Sequence, residues 1–160
     1  MTESTRTLIW ADPLATRDRV AGMSGLEAMR ALRDGLIPPP PIAETMNFTL
    51  TEADPGRVVF ECRPGFEHYN PIGAVHGGLA CTLLDTVTGC AGHTTLKAGQ
   101  GYTSIEISVK YLRPITADGG VLTAVGVVTK PGRRVIFAEG TIIDAQGRLL
   151  ATASSSLLVL

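Results

Sequence analysis

One aspartate stands alone in a long uncharged part of this sequence. Between Glu67 and Lys97 the only formally charged side chain is Asp85. The surrounding segment is rich in small residues and contains Gly77, Gly78, Gly89 and Gly92. Burying an unpaired carboxylate is costly, so a buried Asp85 needs threonine hydroxyls and backbone amides as partners. The other interpretation is a catalytic base. The residues alone leave both open.

A second candidate feature, His76-Gly77-Gly78, opens the same segment. An interior glycine destabilises a helix by about 0.5–1 kcal/mol relative to alanine, so the glycines indicate close approach to a sheet or a ligand. The first amides of a helix lack intrahelical acceptors and can stabilise an oxygen that becomes negative during a reaction. Taken alone, the tripeptide favours the simpler interpretation, a loop-to-helix turn.

The segments around these residues predict an α+β domain. The predicted elements are strands over 44–51 and 57–63, a turn over 53–56, a helix over 76–96, and strands around 105–111 and over 120–129, 133–144 and 148–159. Ile105, Ile107, Val109 and Tyr111 alternate with polar residues, as in a half-buried strand. One helix covers only one face of such a sheet, so we expect a partner subunit to supply the other layer.

Residues 1–42 are predicted to form a helical extension, separate from a domain over 43–160. Ser24 and Glu27 have the spacing of a capping box, and Gly35 stands where a helix C-cap is expected. The four prolines at 38–41 then stop that helix and form a stiff connector.

Composition narrows the class of protein. A chain of 160 residues has the length of one ordinary domain, and a net charge of −1 gives no reason to expect nucleic acid. No segment is apolar enough for a leader or a membrane span, which predicts a cytoplasmic protein with no membrane partner. Cys62, Cys81 and Cys90 lack the spacing of a zinc site and are expected to be reduced thiols, so no metal is predicted.

Five sequence features follow one another between residues 70 and 114, namely Asn70-Pro71, His76-Gly77-Gly78, Asp85, Ser104 and Lys110-Tyr111-Leu112-Arg113-Pro114. Together they resemble the hotdog-fold acyl-CoA thioesterases, most closely the phenylacetate-pathway-type, or PaaI-like, branch. The resemblance covers roughly residues 44–160. It implies an antiparallel sheet wrapped around one central helix, a homodimer as the minimal unit and a homotetramer as the assembly.

The resemblance also implies roles for the motif residues in hydrolysing an acyl-CoA to free acid and CoA. Asp85 acts as general base or as nucleophile, and the Gly77 amide donates to the oxyanion in a loop shaped by His76. Asn70 and Ser104 orient the water or the carboxylate. CoA thiolate leaves readily, so no second acid is required. CoA belongs to the substrate, and no cofactor is expected.

The nucleotide part of CoA is predicted to bind at a basic turn, residues 130–134. Residues 1–95 carry 7 basic and 11 acidic side chains, whereas residues 96–160 carry 7 and 4. The cationic cluster at 130–134 is by itself typical of a solvated hairpin tip, but the resemblance implies phosphate contacts there. The predicted CoA-binding residues are Tyr111, Lys130, Pro131, Gly132, Arg133, Arg134 and Val135. Thr88 and Gly89 are predicted to line the acyl pocket, one turn beyond Asp85.

Two alternatives remain at this point. One keeps the fold and changes the chemistry to an enoyl-CoA hydratase or dehydratase, although the spacing of Asn70 and His76-Gly77-Gly78 argues against it. The other is a non-catalytic acyl-CoA-binding protein, which would be expected to carry an effector domain that residues 1–42 are too short to form. The sequence does not specify the acyl group.

Overall fold

The structure, a computed structural model, describes residues 3–160 and consists of one antiparallel sheet around one long helix. The helices are α1 Pro13–Val20, α2 Gly25–Arg33, α3 Pro41–Met46 and α4 Gly77–His93. The strands are β1 Phe48–Asp54, β2 Arg57–Cys62, β3 Tyr102–Tyr111, β4 Leu122–Lys130, β5 Val135–Ile143 and β6 Leu149–Val159. All neighbouring strands are antiparallel, in the order β1-β2-β4-β5-β6-β3. The predicted α+β architecture is confirmed.

Helix α4 lies across the concave face of the sheet and supplies much of the core. Its fully buried side chains include Ala80, Leu83, Leu84, Val87 and Ala91. A Cβ atom on Gly126 of β4 would overlap the backbone carbonyl of Val87, so only glycine allows this close approach. The helix ends at His93, three residues before the predicted end, because the hydroxyls of Thr94 and Thr95 cap its last carbonyls.

Strand β3 forms one edge of the sheet and contains a β-bulge at Ile105. Ser104 pairs with Leu157 of β6, whereas Glu106 pairs with Ser156, so Ile105 is the extra residue. A bulge reverses the alternation of side chains along a strand. Ser104 therefore faces α4 together with Ile107, instead of facing outward with Glu106 as strict alternation would require.

The N-terminal part of the chain departs from the prediction in two places. The capping box is confirmed, since Ser24 Oγ accepts from the Glu27 amide and the Glu27 carboxylate accepts from the Ser24 amide. Gly35 follows α2 with a φ of 71°. However, a further helix, α1, precedes α2; it begins at Pro13 behind an Asp12 cap and buries no side chain.

The predicted strand over 44–51 is wrong in its first half. Pro41 does not simply end the connector but occupies the first turn of α3, where its fixed φ and missing amide cost nothing. The helix ends when Asn47 adopts a left-handed conformation with a φ of 54°, and β1 begins at Phe48. Residues 1 and 2 of the predicted extension lie outside the described residues.

Candidate active site

Asp85 projects from the middle of α4 toward the edge strand, and its carboxylate is exposed in the single chain. Ser104 Oγ on β3 donates a hydrogen bond of 2.8 Å to Asp85 Oδ1. The bulge at Ile105 positions Ser104 on the helix-facing side and thereby makes this contact possible. The two residues predicted from separate motifs are thus neighbours.

The threonine hydroxyls of α4 do not hold this carboxylate. Thr82 donates to the Gly78 carbonyl, Thr86 to the Thr82 carbonyl and Thr88 chiefly to the Leu84 carbonyl. The interpretation of Asp85 as a buried structural residue satisfied by threonines is therefore wrong for this chain. A solvent-accessible carboxylate with one oxygen held by serine retains lone pairs that can accept a proton from water.

Asn70 lies in a tight loop before α4, and its side chain is oriented by the backbone. Its Oδ1 accepts from the amides of Ile72 at 3.1 Å and Ala74 at 3.2 Å. Because both donors are backbone amides, the acceptor must be the oxygen, and the Nδ2 group remains to donate. Asn70 can therefore hold a water oxygen or a carboxylate, but it cannot take a proton.

His76 caps the N-terminus of α4 and leaves one amide free. His76 Nδ1 accepts from the Gly78 amide at 2.8 Å, and the His76 carbonyl accepts from the Leu79 amide at 3.0 Å. Within residues 3–160 the Gly77 amide has no acceptor. Gly77 helps to line a cavity of about 580 Å³, together with His76, Tyr111 and Arg113. An unpaired amide at a helix N-terminus beside a cavity is suited to bind a carbonyl oxygen.

Gly77 and Asp85 do not meet within one chain. They are eight residues apart on α4, which corresponds to about 12 Å along the helix axis. An oxyanion donor must lie within about 3 Å of the oxygen it stabilises, and a base must be within hydrogen-bond reach of the attacking water. One carbonyl group cannot satisfy both conditions with the two residues of a single subunit.

The basic turn is at the opposite end of α4. Pro131, Gly132 and Arg133 border a cavity of about 510 Å³, together with Lys97 and Gln100 from the loop after α4. Lys97 and Gln100 were missed by the sequence analysis, because only the fold brings that loop beside the turn. In the described part of the chain none of the cations at 97, 130, 133 and 134 forms an ion pair.

Tyr111 is separated from the rest of the predicted CoA-binding set. Its ring lies over Gly77 at the N-terminal end of α4, while Lys130–Val135 lies at the C-terminal end. Its hydroxyl lies 2.8 Å from Cys81 Sγ and 3.2 Å from the Gly77 carbonyl. A CoA contact for Tyr111 remains a prediction.

Thr88 and Gly89 are both covered in the single chain. Thr88 is fully buried and packs against the sheet at Gly140. Gly89 lies under the ring of Tyr102, where a Cβ atom would contact the tyrosine hydroxyl. An acyl pocket at these residues therefore stays a prediction.

Two further findings concern metals and membranes. No group of three or more His, Cys, Asp and Glu side chains within residues 3–160 could hold a metal ion. None of the helices over the same residues is long and apolar enough to span a membrane.

Burial raises the pKa of Cys62 and of Cys90 to about 12, so both thiols stay protonated at neutral pH.

The antiparallel sheet around one central helix defines the class, a hotdog-fold protein. The model of the thioesterase superfamily matches residues 72–151, half of the chain, and the protein belongs to that superfamily. Human acyl-coenzyme A thioesterase 13 is 32% identical over 104 residues, which cover 64% of this chain and 73% of the relative. The proofreading thioesterase EntH of Cronobacter sakazakii is 32% identical over 92 residues, 58% of this chain and 66% of the relative.

A solved structure agrees with these sequence comparisons. The crystal structure of a putative thioesterase from Ralstonia eutropha, described as related to phenylacetic acid degradation, matches with a TM-score of 0.74 at 26% identity. The match covers 81% of this chain and 98% of that one. The PaaI-like resemblance is confirmed, and the protein is a thioester hydrolase.

Proposed function

We propose that the protein hydrolyses acyl-CoA thioesters to a free acid and CoA, at a site shared by two subunits. The observation that carries this proposal is the exposed Asp85 carboxylate held by Ser104 on an otherwise uncharged helix. The similarity to acyl-coenzyme A thioesterase 13 and the unpaired cations around the basic turn support CoA as the carrier of the acyl group.

The distance between Gly77 and Asp85 supports a composite site. A carbonyl bound by the Gly77 amide needs a base from elsewhere, and a two-fold dimer supplies Asp85 of the partner subunit. Each dimer then has two sites, and each site combines Asn70 and Gly77 of one chain with Asp85 and Ser104 of the other.

The free edge of the sheet supports the same dimer. Within residues 3–160 strand β3 is hydrogen-bonded to β6 alone, and its other edge is open. Ile105 and Tyr111 on this strand are more than half exposed, at 54% and 56%. Such an edge favours pairing with another strand, and antiparallel pairing of β3 with its own copy continues the sheet. Pairing of two dimers into a homotetramer is part of the proposal.

Hydrolysis at this site proceeds by attack of water on the thioester carbon. Asp85 takes a proton from the water while the new carbon–oxygen bond forms, and the Gly77 amide stabilises the oxyanion. Asn70 Nδ2 and Ser104 hold the water or the carboxylate in position. The carbon–sulfur bond then breaks, and the leaving thiolate is protonated from solvent. The same geometry serves attack by the Asp85 carboxylate itself, which forms an anhydride that water cleaves; we favour the base.

The nucleotide of CoA binds, in this proposal, at the cavity between the basic turn and the loop after α4. From Asp85 to the end of α4 at His93 the helix rises by about 12 Å, and the cavity lies beyond that end. The distance from the Asp85 carboxylate to this cavity is therefore comparable to the length of an extended pantetheine arm, which joins the thioester to the nucleotide. Lys97 adds a fourth cation to Lys130, Arg133 and Arg134 for charge-assisted contacts to phosphate.

A panel of acyl-CoA substrates tests the proposed function. Thiol release is measured from acetyl-CoA through phenylacetyl-CoA and hydroxybenzoyl-CoA to long-chain acyl-CoA, with the Asp85→Asn variant as control. We expect hydrolysis of at least one substrate by the wild type and little by the variant. Absence of thiol release from the whole panel, with release from an acyl group on another thiol carrier, would show that CoA is not the carrier.

A further inference from the structure

In the first turn of α4 the backbone groups around the free Gly77 amide are hydrogen-bonded. The His76 carbonyl is bonded by the Leu79 amide, and the Gly78 amide by His76 Nδ1. The Gly78 carbonyl is bonded by the Thr82 hydroxyl. The Gly77 carbonyl lies within the helix and accepts a further hydrogen bond from the Tyr111 hydroxyl.

Tyr111 contacts this turn in a second way, through its ring. A Cβ atom on Gly77 would lie 3.1 Å from the ring carbon that bears the hydroxyl, so the backbone and the ring are in direct contact. Cys81 Sγ and the tyrosine oxygen lie 2.8 Å apart, and either atom can donate; with the hydroxyl proton on the Gly77 carbonyl, the thiol is the donor. Tyr111 is thereby fixed to two successive turns of α4.

Tyr102, at the other end of β3, provides an internal comparison. It also packs its ring over a glycine of α4, Gly89, from the same face of the same strand. Its hydroxyl makes no hydrogen bond within residues 3–160. Both ends of β3 therefore place a tyrosine ring against a glycine of α4, but of the two rings only that of Tyr111 bonds the helix backbone through its hydroxyl.

We propose that Tyr111 is a positioning residue for the oxyanion donor: its hydroxyl fixes the Gly77–Gly78 peptide and so orients the adjacent Gly77 amide toward the substrate carbonyl. This inference rests on the proposed thioester hydrolysis at Gly77. It differs from a CoA-binding role, because a positioning residue acts on the rate of the chemical step, whereas a CoA ligand acts on substrate binding.

The test compares Tyr111→Phe with the matched control Tyr102→Phe, using an acyl-CoA and the corresponding acyl-pantetheine without the nucleotide. We expect Tyr111→Phe to lower kcat about threefold to tenfold on both substrates, the effect of one hydrogen bond, with KM within twofold of the wild type. Tyr102→Phe should retain the wild-type kcat and KM.

A second measurement does not depend on turnover. Hydrogen exchange of the peptide that contains Gly78 and Leu79 should be faster in Tyr111→Phe than in the wild type and in Tyr102→Phe, because the turn loses a partner. An unchanged exchange rate together with unchanged kcat would overturn the inference. A rise in KM for the acyl-CoA alone would assign Tyr111 to CoA instead. Failure of the wild type to hydrolyse either thioester would refute the proposed function, and exchange would then still report whether Tyr111 holds the turn.

Discussion

At the scale of single residues, the account depends most on the Asp85 carboxylate. Asp85→Asn removes the base or nucleophile but keeps an oxygen that Ser104 can bond. We expect kcat for thioester hydrolysis to fall by about 10²–10⁴. The unfolding temperature should be unchanged or higher, because the variant keeps an oxygen for Ser104 and removes a charge that the partner subunit desolvates in the proposed dimer.

The matched control for this variant is Glu106→Gln. Glu106 is an exposed carboxylate on β3, the strand that carries Ser104. Like Asp85, it accepts a hydrogen bond from a serine hydroxyl, here that of Ser156 at 3.2 Å. It faces away from α4. Glu106→Gln should leave kcat unchanged, and an equal loss in both variants would mean that general surface charge, not a base, is responsible.

Asn70 allows a variant that separates loop structure from chemistry. Asn70→Asp retains the oxygen that accepts from Ile72 and Ala74 but loses the Nδ2 donors. We expect kcat to fall by about 10²–10³, as when one preorganised donor is removed. Hydrogen exchange in residues 70–76 should match the wild type. A variant with nearly normal kcat would show that the Asn70 side chain does not contact the reacting groups.

The sequence identified Asp85 by its isolation, but not its surroundings. Its neighbours Thr82, Thr86 and Thr88 looked like partners, yet each hydroxyl donates to a carbonyl four residues earlier, which competes with bonding to a side chain. Ser104 is 19 residues away in the chain, and no local pattern predicts that contact. Only the resemblance to a family indicated it.

At the scale of secondary-structure elements, the basic turn between β4 and β5 makes a distinct prediction. Replacing Arg133 and Arg134 by glutamate should raise KM for acyl-CoA far more than it lowers kcat, since the turn is remote from Asp85. The effect should shrink with an acyl-pantetheine substrate and at high salt, where exposed charges are screened. An equal loss on both substrates would contradict phosphate binding at this turn.

The loop after α4 gives a smaller version of the same prediction. Lys97→Gln should raise KM for acyl-CoA severalfold, because Lys97 lies on the same cavity as Arg133. Lys110→Gln is the matched control: Lys110 is also exposed, has no ion pair within residues 3–160, and lies on the outer face of β3. KM values that rise equally in both variants would indicate a general charge effect.

Elements with strong patterns were predictable, and those governed by a single residue were not. Helix α4 and strands β4 to β6 follow from continuous patterns and clear turns. In contrast, Pro41 marked the end of one helix in the sequence analysis but begins α3 in the structure. The bulge at Ile105 was also missed, since an apparently clean alternation from Ile105 to Tyr111 gives no sign of it.

At the scale of the whole molecule, the central claim is that the active site needs two chains. Gly77 and Asp85 are too far apart on α4 to act on one carbonyl, and the open edge of β3 offers the surface for a second copy. The protein should therefore elute as a dimer or a multiple of it in size-exclusion chromatography with light scattering. An active monomer under assay conditions would contradict a shared site.

The most direct measurement of this claim is complementation between Asn70→Ala and Asp85→Asn. The two inactive variants are denatured, refolded together and assayed for thiol release, against each variant refolded alone. In a mixed dimer one composite site carries both substitutions and the other carries neither. With random pairing half of the dimers are mixed, so about a quarter of the wild-type activity should return. If mixed dimers form, as judged by mass, and no activity returns, both residues act within one chain and the shared site is refuted.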